Sequence, residues 1–387
     1  MATSAPLSER LIAFLHRVMR ALANRGRRVA WIAARIIYQL TPLPRPLKRR
    51  IARKLMPPPP EVAAPIEIDF SAATPFGYPL APGSPKLAVV CHIFYDALAP
   101  EIGRYLRNIP IPFDLFISTD TDAKKAAIEG TFAEFTPGRV EVRLAPNRGR
   151  DIAPKLVTFG DIYPHYDYAL HLHSKASKHA DELELWRGFL FENLLGSPDI
   201  VRSVLDAFAR RPDLGLIASQ HFEPVRHWVN WGGNFKATAR LAERLGIALE
   251  AERLLDFPSG SMFWVRCAAL KPLLELQLQF TDFDIESGQV DKTFAHAIER
   301  LYFHVAERAG FRWMKIAHPP LFAVTPAIVP IGSPGDLDRF LAEHGRALLG
   351  DNLPAPRKAH MKGVPPAPGL SAKLKAAQAS AAVKVPT

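Results

Sequence analysis

The sequence predicts an α/β protein built on a mostly parallel sheet covered by helices. Three observations carry that expectation. Strand-like and helix-like runs alternate from residue 86 onward. The first run, KLAVVCHIF, is apolar at consecutive positions, as a strand buried on both faces must be. The chain of 387 residues is long enough for one large domain with an ample core.

Ahead of that domain lies a basic arm, residues 1–56. Thirteen of the chain's 49 basic residues and one of its 38 acidic residues precede Pro57, so the net charge of +11 belongs to the arm and the remainder is near neutral. The main domain therefore lacks the basic surface of a nucleic-acid binder. Leu7, Leu11, Phe14, Leu15, Val18 and Leu22 recur at helical spacing among arginines, and Val29, Ile32, Ile36, Ile37 and Leu40 repeat the pattern. Both read as amphipathic helices for an anionic membrane surface, with a hairpin packed on its own domain as the alternative. The cluster Lys48, Arg49, Arg50, Arg53 and Lys54 favours the membrane. Arg35 interrupts an apolar run already shorter than the roughly 20 residues of a bilayer span, and neither helix has the form of a secretory signal. The expectation is a peripheral protein on the inner, cytoplasmic face of the membrane. The proline-rich segment 57–85 reads as a stiff linker.

Within the domain, residues 86–349, strands are expected at 86–94, 113–119, 139–144, 168–173, 214–218 and 311–316, and 257–266 reads as a turn running into a strand. Helices are expected at 100–107, 122–135, 182–194, 199–210, 236–245, 268–276 and 291–309. A short helix should follow the turn at Gly149, and residues 221–234, aromatic and Gly-rich, read as a functional loop. Residues 350–387 have the Pro, Ala and Lys content of a disordered tail. Cys91 and Cys267 lie in apolar runs and read as buried hydrophobes in a reducing compartment.

Five stretches carry candidate chemistry. The strand ending at Thr119 leads into Asp120 and Asp122, placed to hold a base or ribose beyond the carboxyl end of a parallel strand, or simply to cap a helix. Asn147, Arg148, Gly149, Arg150 and Asp151 join a sharp turn to two guanidiniums and a helix start, which favours phosphate; a capping Asp with solvated arginines is the plain alternative. In YALHLH, His171 and His173 share one strand face, with Ser174, Lys175 and Ser177 following, a set able to meet an oxyanion or a metal. Ser259 and Ser261 offer hydroxyls and backbone donors at a strand entrance, and Gly260 between them suggests close approach of a ligand or backbone. Glu286 and Asp291 belong to an acidic run that leads into a helix face bearing His296, Glu299 and Arg300.

The motifs CHIFYDALAPEI, PFDLFISTDT, NRGRDIAPKL, LHLHSKASKH, FPSGSMFWVR and GQVDKTFAHAIERL, in that order, resemble the rhamnan synthesis protein F family of bacterial polysaccharide-assembly proteins. The resemblance covers most of residues 86–315. It implies glycosyl transfer from a nucleotide-sugar, most simply dTDP-L-rhamnose, to a lipid-linked glycan. The order of elements also looks like the nucleotide-diphospho-sugar transferase (GT-A) fold. Where that fold carries Asp-x-Asp for a divalent cation, this chain has His171-Leu172-His173. Two routes follow: the imidazoles ligate Mg²⁺ or Mn²⁺, or His171, His173, Lys175 and Arg150 meet the diphosphate charge without a metal, which is preferred because neutral and cationic donors can stabilise the same developing charge. Metal dependence stays open. The implied mechanism is inverting displacement, with Asp291 first and Glu286 second as base. Ser259, Gly260, Ser261, His296, Glu299 and Arg300 are then expected around sugar and acceptor, and the position after Asp291, Gly-like in the family, is Lys292. A non-catalytic carbohydrate-binding or scaffold component is the alternative.

Overall fold

The computed structural model describes residues 69–80, 83–135, 137–174, 181–287, 291–322, 328–345 and 348–349. The arm, about half of the linker, the tail, and Lys175 and Ser177 of the candidate site lie outside the described residues.

Nine strands form one sheet: β1 (Ser71–Ala73), β2 (Leu87–His92), β3 (Asp114–Thr119), β4 (Val140–Leu144), β5 (Tyr168–His173), β6 (Leu214–Ser219), β7 (Phe263–Arg266), β8 (Arg312–Ala317) and β9 (Ile328–Val329). Their spatial order is β4-β3-β2-β5-β7-β6-β8-β1-β9. Every pairing is parallel except those of β7, which runs antiparallel between β5 and β6.

The helices are α1 (Ala99–Leu106), α2 (Asp122–Phe132), α3 (Ile152–Leu156), α4 (Asp181–Leu195), α5 (Pro198–Arg210), α6 (Phe235–Arg244), α7 (Lys271–Leu274), α8 (Phe294–Glu299), α9 (Tyr302–Arg308) and α10 (Pro334–His344). Their starts follow ordinary capping chemistry. Thr121, Ser197 and Ser333 accept a backbone N–H from the first turns of α2, α5 and α10, and proline opens α5 and α10. The cap of α2 is thus Thr121, between the two aspartates expected to serve.

The continuous apolar runs divide by residue parity into two core layers. Leu87, Val89 and Cys91 of β2 face one side with Leu115, Ile117, Leu170 and Leu172, under α1, α4, α5 and α10. Ala88 and Val90 face the other with Phe116, Ala169, Phe263 and Val265, under α3, α6 and α9. The central sheet is therefore buried on both faces, as its composition requires. Burial pushes both cysteine thiols up to about 12, so they are inert apolar fillers.

Several features depart from expectation, among them β9 and α10, which lie beyond the last element expected from the sequence. Ser71–Ala73, inside the stretch expected as linker, is a strand between β8 and β9; at three residues it is too short to show periodicity. The expected helix 291–309 is two helices, because Arg300 Nη1 donates to the His296 carbonyl and Leu301 N–H turns back to Ile298, tightening the chain between α8 and α9. The expected helix 268–276 is a 3₁₀ turn, Cys267–Leu270, leading into α7.

The topology sets the functional edge. From β2 the chain moves outward to β3 and β4, then returns to β5 on β2's other side. The carboxyl ends of β2 and β5 thus flank a switch point, where open α/β sheets leave a crevice for ligands.

Candidate functional site

His92 closes β2 at this crevice, its Nδ1 3.0 Å from Ser118 Oγ at the end of β3. Burial pushes its pKa down to about 4, so the imidazole is neutral. Beside it, Tyr95 N–H donates to Ser174 Oγ at 3.0 Å and Ser174 N–H to the His92 carbonyl at 2.9 Å, tying the exits of β2 and β5 together. Asp120, just past β3, accepts from Lys124 Nζ at 2.6 Å, and that ammonium lies over the Phe94 ring. Asp122 opens α2 and is exposed.

The turn before α3 needs its glycine. Gly149 has φ 71°, and a Cβ there would lie 2.4 Å from Ala153 Cβ and 2.6 Å from Phe283 Cδ1. Arg150 follows with φ 57°. The acidic loop docks on this turn. Arg148 pairs with Ile285 as an isolated bridge, and its guanidinium donates to the carbonyls of Phe283 (2.7 Å) and Thr281 (3.3 Å). Arg150 N–H donates to Glu286 Oε1 at 3.0 Å. Arg148 and Glu286, expected at diphosphate and acceptor, therefore hold the loop to the turn in this conformation, while Asn147 and the Arg150 side chain are exposed.

The two strand imidazoles differ. His171 is fully buried between Phe263 and Tyr163, its Nε2 2.8 Å from the Tyr163 hydroxyl and its ring centroid 4.7 Å from that of Phe263. Burial, with Lys155 nearby, drives its pKa well below the ordinary value. It packs in the core and does not reach the crevice. His173 lies at the strand end and donates through Nε2 to the Gly260 carbonyl at 2.7 Å, with Asp151 Oδ2 3.8 Å away.

The turn 258–261 is the hub of the site. Gly260 and Ser261 both adopt left-handed φ, 88° and 54°, and a Cβ on Gly260 would lie 2.8 Å from Leu190. β5 holds the turn through His173. α3 holds it through Lys155, whose fully buried Nζ donates to the Ser261 carbonyl at 2.8 Å and to Asp151 Oδ2 at 2.9 Å. α8 holds it through Glu299 Oε1, which accepts from Gly260 N–H (3.0 Å) and Ser261 Oγ (3.2 Å). The exit of β6 holds it through His221, whose Nδ1 is 2.9 Å from Ser259 Oγ.

Asp291 stands in front of α8. Asn234 Nδ2 donates to its Oδ1 at 2.7 Å, and Arg300 Nη2 lies 3.6 Å from the same oxygen. Burial pushes its pKa up, but Asn234, the Lys292 N–H, Arg300 and His296 outweigh it and hold the carboxyl below its usual range. Lys292 has φ 72°, the conformation that suits glycine at this position. Arg300 also donates to the carbonyls of Asn230 and His296, 3.0 Å each. His296 Nδ1 is 2.7 Å from Thr293 Oγ1; its pKa is lowered by burial first, with Arg150 and Arg300 acting in the same direction against Glu299 and Asp291.

A divalent cation does not fit the described residues at the end of β5. His171 is committed to Tyr163, His173 to a carbonyl, and Asp151 already faces the Lys155 ammonium. Among the described residues no three His, Cys, Asp or Glu side chains gather as a metal-binding set.

Sequence reasoning missed Lys155, His92, His221, Asp256 and Asn234. Asp151 and Lys155, four apart on one helix face, carried a local signal. His221 and Asp256 are joined only by the fold.

An open, mostly parallel α/β sheet, with carboxylates, imidazoles and hydroxyls gathered at its switch point, defines a ligand-binding α/β protein. The chain belongs to the rhamnan synthesis protein F family, whose pattern matches residues 80–311. Two uncharacterized proteins named WxcX, from two strains of Xanthomonas campestris pv. campestris, are each 35% identical over 250 residues, 64% of this chain. The chain spans about a third, 35%, of the length of those relatives. Among solved structures, the mannosyltransferase PcManGT from Pyrobaculum calidifontis, in complex with GDP-Man and Mn²⁺, aligns over 98% of this chain and 88% of its own, at 14% identity and TM-score 0.34. At that level the likeness speaks to neither substrate nor mechanism.

Proposed function

We propose that the chain is a glycosyltransferase of surface-polysaccharide synthesis, moving a sugar from a nucleotide-sugar, most simply dTDP-L-rhamnose, to a hydroxyl of a lipid-linked glycan. The observation that carries this reading is the clamped turn 258–261 beside the sheet's switch point, with a positioned carboxylate, Asp291, in front of α8. Membership of a family named for rhamnan synthesis supports it.

In this reading the domain works as a GT-A-like transferase. Asp120 and Asp122 border the nucleotide, and the Gly149 turn with Arg150, Asp151, His173, Ser174 and Lys175 borders the diphosphate. Asp291 takes the proton of the attacking hydroxyl as the new C–O bond forms at the anomeric carbon and the bond to the diphosphate oxygen breaks, inverting that carbon. Glu286 is the second choice as base, since using it requires releasing Arg150 N–H. Arg300, His296 and Glu299 line the acceptor side. No step is routed through a metal. The arm 1–56 would hold the protein to the anionic inner face of the membrane; among the described residues no helix is long and apolar enough to cross one.

The test is a screen of nucleotide-sugars, dTDP-L-rhamnose first, against the purified protein with Mg²⁺, with Mn²⁺ and with chelator, read as transfer or hydrolysis. The absence of both turnover and calorimetric binding for every donor would overturn the reading. Donor or glycan binding without turnover would support the second one, a carbohydrate-binding component, which gains from the internal use of Arg148, Glu286 and His171. Flotation with anionic vesicles, with and without residues 1–56, tests the membrane contact.

A further inference from the structure

Ser259 is held from behind by a chain of buried groups that the transfer reading leaves unused. His221, 2% exposed, follows β6 and places Nδ1 2.9 Å from Ser259 Oγ and Nε2 3.0 Å from Asp256 Oδ1. Lys315 of β8, 3% exposed, donates to Asp256 Oδ2 at 2.5 Å and also to Asp69, which in turn meets Arg226.

This chain fixes the direction of every hydrogen bond in it. Burial pushes the Asp256 carboxyl up, but Lys315 and His221 overcome that and hold it well below the carboxylate range, so it is ionised. An ionised carboxylate only accepts, and His221 Nε2 must therefore carry the proton. Burial and then Lys315 keep the imidazole neutral, which leaves Nδ1 a bare lone pair. Ser259 Oγ–H therefore donates to His221 Nδ1, and only lone pairs of the serine oxygen remain for anything else.

Two chemistries are thereby disfavoured at Ser259. Acyl transfer needs an oxyanion hole, yet Gly260 N–H is taken by Glu299 and Ser261 N–H by the Pro258 carbonyl. A phosphate or carboxylate would meet lone pairs and, behind them, a buried aspartate. A neutral hydroxyl donor matches that polarity at the edge of Ser259, which is itself 7% exposed.

We propose that Ser259 Oγ reads one hydroxyl of the bound sugar by accepting its hydrogen bond, with His221, Asp256 and Lys315 as positioning residues that fix the polarity of that contact. The proposal rests on the reading that this site takes a sugar. It divides the crevice chemically: the anionic part of a donor belongs on the Arg150 side, the sugar ring on the Ser259 side.

The test has two arms on the full chain. Histidine-selective ¹⁵N NMR, assigned with His221→Gln, reads the tautomer without any ligand; Nε2–H is expected, and Nδ1–H would overturn the proposal. Saturation-transfer titrations then compare methyl α-L-rhamnopyranoside with its monodeoxy analogues. One analogue should bind about tenfold more weakly than the parent to the wild type, the scale of one lost hydrogen bond. That difference should vanish in Ser259→Ala and His221→Phe and persist in Ser259→Thr. Equal binding of parent and analogues to the wild type, or discrimination kept by Ser259→Ala, would sink the hydroxyl reader alone. If no glycoside binds at all, the inference falls whatever the tautomer, and the nucleotide-sugar screen decides separately whether the sugar reading falls with it.

Discussion

Asp291 and Lys155 show how single residues here differ from their neighbours in kind. The Asp291 carboxylate is held below its usual range against its own burial by Asn234, the Lys292 N–H and Arg300. As a base it must be ionised, so turnover should persist into mildly acidic buffer and fall only as pH drops through that lowered value. Asn234→Ala should shift the acid limb of the rate profile upward, and Asp291→Asn should cut kcat by about a hundredfold or more while donor affinity stays within about twofold. An unchanged kcat in Asp291→Asn removes it as base. Its lowered pKa also stabilises the fold above the unfolded carboxylate's pKa, a contribution lost as pH falls through the folded value. Lys155 is fully buried and faces Asp151. Lys155→Met removes the buried ammonium that faces a mostly buried carboxylate, and should cost about 3 kcal/mol in urea unfolding, with part recovered by adding Asp151→Asn. A loss below about 1 kcal/mol would mean that water already serves Asp151.

At the scale of elements, the site is a set of turns locked onto strand ends, and the Gly149 turn depends most on having no side chain. Gly149→Ala places a methyl against Ala153 and Phe283 at a φ that L-residues avoid, so it should destabilise by more than about 2 kcal/mol and loosen the acidic loop. Proteolysis within residues 281–287, faster than in wild type, is the reading that checks it; an unchanged melting curve and cleavage rate would show that the turn tolerates the methyl. The same elements show how far sequence carries. β2, β3, β5, β6 and β8 were legible because a strand buried on both faces is largely apolar, interrupted here by groups such as His171 and Lys315 that find buried partners. The reversed direction of β7 was not, since FWVR packs equally well parallel or antiparallel and only its partners β5 and β6 decide. Gly149 and Gly260 were legible as points of close approach. The partners of the Ser259 hydroxyl were not, because His221 and Asp256 lie on separate connections that meet only once β6 and β7 pair. His171 and His173 read as equals on one strand face, yet one position of depth along β5 separates a core imidazole from a rim imidazole.

Taken whole, the molecule keeps an unusual number of imidazoles inside, and that gives it a pH signature of its own. His92 and His304 are each 5% exposed or less, and burial pushes both down to about 4; His171 is driven further, and His221 and His296 are lowered as well. A histidine kept neutral in the fold binds its proton in the unfolded chain first. The unfolded state therefore gains protons as pH falls below about 6.5, and stability is lost on the way down to the folded value. Between pH 6.5 and 5, His92 and His304 should each remove about 1.6 kcal/mol, somewhat less than 1.5 pH units would give because the unfolded ring is already half protonated at pH 6.5. The depressed carboxylates Asp256 and Asp291 act in another window, since their contributions survive until pH falls below the ordinary carboxylate range. Acid sensitivity near pH 5 thus belongs to the imidazoles, offset in part by Glu223, whose carboxyl burial pushes up to about 7 so that its protonation favours the fold as pH falls. Urea midpoints at pH 7 and pH 5 measure it: a clear fall is expected in the wild type, and a shallower one in His92→Gln/His304→Gln, even where that variant starts less stable at pH 7. Equal midpoints at the two pH values in the wild type would mean that these rings take up protons in the folded state, and that the interior around β2 and α9 is wetter than its packing implies.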